Sequence, residues 1–217
     1  MKRASALSAF ALGLLLAGTS AFAQLEWKHI EVTAPMGSAQ QKLVVSFPFK
    51  NAGQQPVVIE SVQSFCGCTT VALAKTRFAP GEAGEIVATY VPGPRMGTQR
   101  NIITVETNRA AGDKTVLTVS AEIPVVAKLE RPFLVWKEGE SHETKTLNIA
   151  TDGAEVVEGI SVKDVDAALD AQVVRVDEKS FRLHVTPKSG GVSSAVVLEA
   201  AVAGNQKKRL SAYVRVR

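Results

Sequence analysis

From Lys42 onward the chain alternates. Leu43, Val45, Phe47 and Phe49 put apolar side chains at every second position, with Lys42, Val44, Ser46 and Lys50 among the residues between them. A period of two sets one row on a single face of an extended strand, which no helical period can do. Further short runs, PVVIESV, GEIVATYV, NIITVETN and KTVLTVSAEIPV, are bounded by turn formers such as Asn51-Ala52-Gly53 and Pro80-Gly81. About seven strands at this spacing, with no helical crossover segment between them, predict a β-sandwich and not a parallel sheet.

A second series follows: FLVWK, TKTLNIAT, VEGISVKDV, LDAQVVRVD, SFRLHVTP, AVVLEAAV and KRLSAYVRVR. In the last run Leu210, Ala212, Val214 and Val216 alternate with Ser211, Tyr213, Arg215 and Arg217, the pattern of one buried and one wet face. The stretch AKLERPF reads as a short connection, because the alternation restarts at Phe133 after Pro132. VDAALDA is long enough for one helical turn. The chain therefore divides into a domain at residues 24–127 and a second, divergent sandwich at residues 128–217, both within the usual domain size.

The first residues have a different character. Lys2 and Arg3 precede an apolar stretch from Ala6 to about Ala17, then Ala21-Phe22-Ala23 and Gln24, the layout of a secretory signal peptide over residues 1–23 cleaved between Ala23 and Gln24. The apolar core is short for a bilayer span, and no later stretch is apolar for long enough. The expected product is an exported protein, periplasmic or extracellular, with no membrane span after cleavage. Removing Lys2 and Arg3 from a formal charge of +4 leaves +2, too little to argue for nucleic acid or an anionic membrane.

Three motifs lie in order in the first half: Phe47, Phe49, Asn51 and Gly53; Cys66, Gly67, Cys68 and Thr69; and Pro80, Gly81 and Glu82. In order and spacing they resemble the bacterial exported domain-of-unknown-function 1573 family, over about eighty residues. Met96 departs from the family pattern, which often has a bulkier residue there. The resemblance implies an immunoglobulin-like sandwich akin to ASPM/SPD-2/Hydin domains, and it implies no established activity. The fold expected is thus all-β, with two tandem immunoglobulin-like β-sandwich domains after the signal peptide. The second half matches the family motifs poorly, so its assignment rests on alternation alone.

Cys66 and Cys68 are the only cysteines. Three readings stay open: a structural pair, whether static bridge or packed thiols; an exchangeable bridge; and a soft-metal site. A disulfide closing a three-residue loop restricts the unfolded chain by only roughly 1.6 kcal/mol, against about 3 for fifteen residues, so it is a weak staple. The same tight ring suits an exchangeable bridge in an exported protein. Two thiols can also simply pack under the loop, with Gly67 supplying an unusual backbone angle. Zinc would need a fuller ligand set, but Cu(I) accepts soft sulfur at low coordination number. Loops alternate between the two ends of a sandwich, which puts Met96 and Met36 at the cysteine end as candidate soft ligands.

Other constellations are weaker. His29, His142 and His184 are scattered, with His184 on the polar face of its strand and expected exposed. Ser141-His142-Glu143 are chain neighbours and cannot form a relay in three dimensions. Glu82 and Glu85 read as turn and strand-start carboxylates. Lys207, Lys208, Arg209, Arg215 and Arg217 read as the solvated face of a charged edge strand. The function expected is a non-enzymatic binding or scaffold protein of the cell envelope with a protein partner and no cofactor; the alternative is Cu(I) binding or thiol–disulfide exchange at Cys66 and Cys68.

Overall fold

A computed structural model describes residues 25–37, 40–109, 114–151 and 155–217. The expected signal peptide and its expected cleavage site at Ala23 and Gln24 lie outside the described residues. Within them the chain is all strand and turn, with no helix. The first half forms β1 (Leu25–Trp27), β2 (Glu31–Pro35), β3 (Leu43–Asn51), β4 (Val57–Ser64), β5 (Thr69–Leu73), β6 (Arg77–Phe78), β7 (Ala83–Tyr90), β8 (Gly97–Thr107) and β9 (Lys114–Ile123). The second forms β10 (Ala127–Leu129), β11 (Phe133–Trp136), β12 (Lys145–Thr151), β13 (Val157–Asp164), β14 (Leu169–Arg175), β15 (Ser180–Pro187), β16 (Ser193–Val202) and β17 (Gln206–Val216).

Each half builds two sheets. In the first the orders are β1-β3-β7-β5 and β2-β9-β8-β4-β6; in the second they are β10-β12-β15-β14 and β11-β17-β16-β13. Strand for strand the second half repeats the first, β6 being the one addition. Both open on a divided strand: β1 and β10 pair antiparallel with β3 and β12, whereas β2 and β11 cross over to pair parallel with β9 and β17. All other pairs are antiparallel.

The alternation read from sequence is the packing observed. β3 buries Leu43, Val45, Phe47 and Phe49, which join Ile86, Ile103, Leu117 and Val119 from both sheets in one apolar cluster. A second cluster gathers Trp136, Ile149, Leu183, Leu198, Leu210 and Val214. Gly84 is small because Phe49 and Phe78 meet edge-on above it, and a Cβ there would lie 2.7 Å from Phe49 Cζ.

Four local expectations are corrected. Ala127–Leu129, read as connection, is a strand that finds its ladder partner in β12, and Val126 and Ala127 already pack in the second cluster. VDAALDA makes a turn and then enters β14, with no helical turn. His184 is half-buried and its Nδ1 lies 2.9 Å from Thr146 Oγ1 across the ladder to β12. Finally, β17 is no edge strand: β11 and β16 flank it, and Lys208 shares the inward row with Leu210 and Ala212 at 2% exposure.

Burial pushes the Lys208 ammonium below its ordinary pKa, and the Glu155 carboxylate opposes that only in part. With the folded pKa depressed, the unfolded chain binds more protons between that pKa and about 10.4, so stability rises with pH across this window. Lys208→Met keeps the buried stem and removes the charge. It is expected to raise the urea midpoint at neutral pH and to flatten the alkaline rise; a lower midpoint would show that the ammonium stabilises the fold.

Candidate functional site

The three motifs of the first half fall at its two ends. Leu43 pairs with Tyr90 and Tyr90 with Thr69, so the connection before β5 and the connection after β7 meet at one end. Pro35 pairs with Glu122 and Gly97 with Ile123, which brings the segment after β2 to the same end. The expectation that the cysteines, Met96 and Met36 share an end therefore agrees with the register. Asn51, at the other terminus of β3, marks the opposite end.

That opposite end is a hydrogen-bond clamp. Asn51 is fully buried; its Nδ2 donates to the carbonyls of Gln55 (2.8 Å) and Phe78 (3.1 Å), and its Oδ1 accepts from Gly53 N–H (3.0 Å). Its backbone N–H donates to Glu82 and its carbonyl accepts from Gly81. Gly81 takes φ +77°, open to glycine at no steric cost. The Glu82 carboxylate accepts from the Lys75 ammonium and from Ala79 N–H, which together hold its pKa below the usual carboxylate range. Glu85 lies within β7 and accepts from the Ser46 hydroxyl. The Asn51-Gly53 and Pro80-Gly81-Glu82 motifs thus close loops at this end.

The cysteine end is different. Cys66 and Cys68 form a disulfide with Cα atoms 5.1 Å apart, and both are half-buried. The Cys68 carbonyl accepts from Val91 N–H (2.8 Å), and Thr69 N–H closes the turn on the Cys66 carbonyl (3.0 Å). Cys68 is the inner residue, packed against the first cluster. Its Sγ lies 3.4 Å from Asn101 Oδ1 and 3.9 Å from Thr69 Oγ1. Behind it the Asn101 amide and the Tyr90 hydroxyl are buried side by side; burial raises the Tyr90 pKa, and the Arg95 charge and the Asn101 side chain oppose that rise only in part. Gly67 does not have the unusual backbone angle expected of it: its φ is not positive, and a Cβ there would meet open space.

Around this loop, apolar side chains face water. Phe65 is 81% exposed, and its N–H approaches the Ile102 carbonyl at 3.4 Å. Ile102 and Val91, both tied to the loop through the backbone, are exposed as well.

Of the two methionines, Met36 is buried in the first cluster, while Met96 packs against the cluster of the second half. Beside Met96 the Pro94 carbonyl accepts from Arg209 N–H of β17 (2.8 Å), so this connection joins the halves. A cleft of about 470 Å³ opens there between Gln40, Pro92, Pro94 and the β16–β17 turn. Among the described residues no three of His, Cys, Asp and Glu gather closely enough to hold a metal ion. His29 Nε2 bonds to the Ser46 carbonyl (2.9 Å), and His142 is exposed. No helix among the described residues is long and apolar enough to cross a membrane.

Reading the sequence for reactive side chains missed Asn101 and Asp166. The second half makes the cysteine turn again without cysteine: Leu169 N–H bonds to the Asp166 carbonyl (2.9 Å) and Lys188 N–H to the Ala168 carbonyl (2.8 Å), matching Thr69 on Cys66 and Val91 on Cys68. A signal was present, since SVQSFCGCT and SVKDVDAAL begin alike and end at corresponding strand starts.

None of the curated proteins matches this chain. Among solved structures, an ASH/PapD-like domain of human CEP192 is similar at 10% identity over 54% of this chain and 99% of that one, with a TM-score of 0.38. The Pseudomonas aeruginosa CupB2 chaperone shows 11% identity over 86% and 99%, with a TM-score of 0.36. A protein of unknown function from Porphyromonas gingivalis W83 shows 18% identity over 88% and 99%, with a TM-score of 0.34. Residues 25–123, which span the first half from β1 to β9, match the family described as "Protein of unknown function (DUF1573)".

Proposed function

We propose that this chain is an exported, non-enzymatic binding protein of the cell envelope, built as two tandem immunoglobulin-like domains, that holds a partner protein at the cysteine end of the first. The observation carrying this reading is Phe65, 81% exposed in a loop whose neighbours Val91 and Ile102 are exposed too. Scattered apolar residues on a surface are ordinary; several anchored to one loop make a contact surface. Burying a phenylalanine is worth about 1.5–3 kcal/mol, enough for one aromatic anchor to dominate a small interface. Export rests on the arrangement of residues 1–23.

Two measurements test it. A photoreactive residue at position 65, expressed in the source cell, is expected to give a discrete adduct with an envelope protein, whereas one at exposed Glu178 gives none. Identical patterns at both positions, or none at 65, would refute the contact. N-terminal mass analysis of exported material is expected to find Gln24 first; a retained Met1 would refute export by cleavage.

A further inference from the structure

The repeat of the cysteine turn in the second half is a built-in control. There the Asp166 carboxylate accepts from Ala168 N–H at 2.8 Å; in the first half Cys66 Sγ stands in the same place, 3.2 Å from Cys68 N–H. The turn therefore closes on a backbone pattern plus one acceptor at its first position, and that acceptor in the second half is a side-chain oxygen of Asp166. No cross-link is needed: Ala168 fills the place of Cys68 and packs against its own cluster as Cys68 does.

The two sulfurs meet different surroundings. The Cys66 sulfur holds the acceptor position, and there the Cys68 N–H points at it as the Ala168 N–H points at Asp166 Oδ1, a donor that favours a thiolate once the bridge is open. The Cys68 sulfur, bridged and without a proton here, lies 3.4 Å from the Asn101 side-chain oxygen, which can accept from the thiol that reduction would create there and not from a thiolate. Asn101 is 6% exposed, so water does not compete freely for that oxygen.

We propose that Cys66 and Cys68 form an exchangeable dithiol–disulfide couple, in which the Cys66 thiolate attacks a disulfide of another protein and the Cys68 thiol resolves the mixed disulfide. In the first step the Cys66–sulfur bond forms, the partner's S–S bond breaks, and one partner sulfur leaves as thiolate. Cys68 then gives its proton to that thiolate or to water and attacks the Cys66 sulfur. The second partner sulfur leaves, and the Cys66–Cys68 bond closes. Two electrons pass to the partner, which ends as a dithiol. A dithiol donor reverses the sequence by attacking the same Cys66 sulfur and expelling Cys68. Asn101 is a positioning residue that keeps the proton on Cys68. This chemistry goes beyond the binding role and does not depend on it.

The test separates the sulfurs. In the reduced protein, Cys68→Ser leaves Cys66 alone and Cys66→Ser leaves Cys68 alone. Alkylation by iodoacetamide across pH is expected to show Cys66 titrating below the free-thiol value of about 8.5 and reacting about tenfold faster than Cys68 at pH 7. Asn101→Leu in the Cys66→Ser background is expected to shift the Cys68 profile, and in the Cys68→Ser background to leave that of Cys66 in place. Equal or reversed reactivities overturn the assignment. Independently, the parent in glutathione buffers is expected to interconvert between two-thiol and no-thiol forms with an unchanged circular dichroism spectrum; thiols released only in denaturant overturn the proposal. The double variant Cys66→Asp/Cys68→Ala copies the turn of the second half and is expected to fold and to be inert in both assays. Its failure to fold would make the cross-link structural and overturn it too.

Discussion

Phe47→Ala is expected to lower the unfolding free energy by about 3–5 kcal/mol, the usual loss when a buried aromatic is truncated and its cavity stays open. Phe47 is fully buried on the central strand β3, paired with Ile86 on β7, and its ring lies 5.8 Å from that of His29. His184→Ala removes a half-buried ring from the outer row of β15 and one hydrogen bond to Thr146, and is expected to cost less than about 1.5 kcal/mol. Urea midpoints of the two variants decide it. Losses of equal size would mean that Phe47 and His184 do not lie on inward and outward rows.

Asn51→Ala is expected to cost about 3 kcal/mol, although the side chain lost is small. Three backbone groups at the clamp, the Gln55 and Phe78 carbonyls and the Gly53 N–H, lose their side-chain partner together. A buried polar group left unsatisfied costs about 1–3 kcal/mol, and water entering the vacated space restores part of it. Because the clamp lies at the far end of the first half from Cys66 and Cys68, the variant's thiol reactivity in the folded state should equal the parent's. A midpoint within experimental error of the parent would show that the clamp is redundant with the backbone bonds of Gly81 and Glu82.

How much of this was legible in the sequence depended on length and on letters. β3 and β17 are nine and eleven residues long, so their alternation has room to repeat and their faces are plain. β1 and β10 are three residues each; no period fits in three, and only the ladder to β3 or β12 makes them strands. Lys208 misled because a charged letter marks a wet face by default, whereas position on β17 put it on the dry one. The cysteines were legible as a pair, but not the surroundings that distinguish one sulfur from the other. Those come from Asn101 on a separate strand and from Asp166 in the other half, which no local reading of the motif contains.

The divided first strand of each half also decides how the molecule bears tension. β2 runs parallel to β9 and β11 parallel to β17, so the second arm of each divided strand and the last strand of its half lie side by side and point the same way. A pull on the start of one and the end of the other slides them along each other and loads the bonds of the ladder together. Antiparallel neighbours pulled from one end would instead open bond by bond, like a zip, at far lower force. Beside the first of these ladders Arg100 pairs with Glu31, and across the second the rings of Phe133 and Tyr213 stack. Each half is in effect wired as a shear joint, and the two joints stand in series along the chain.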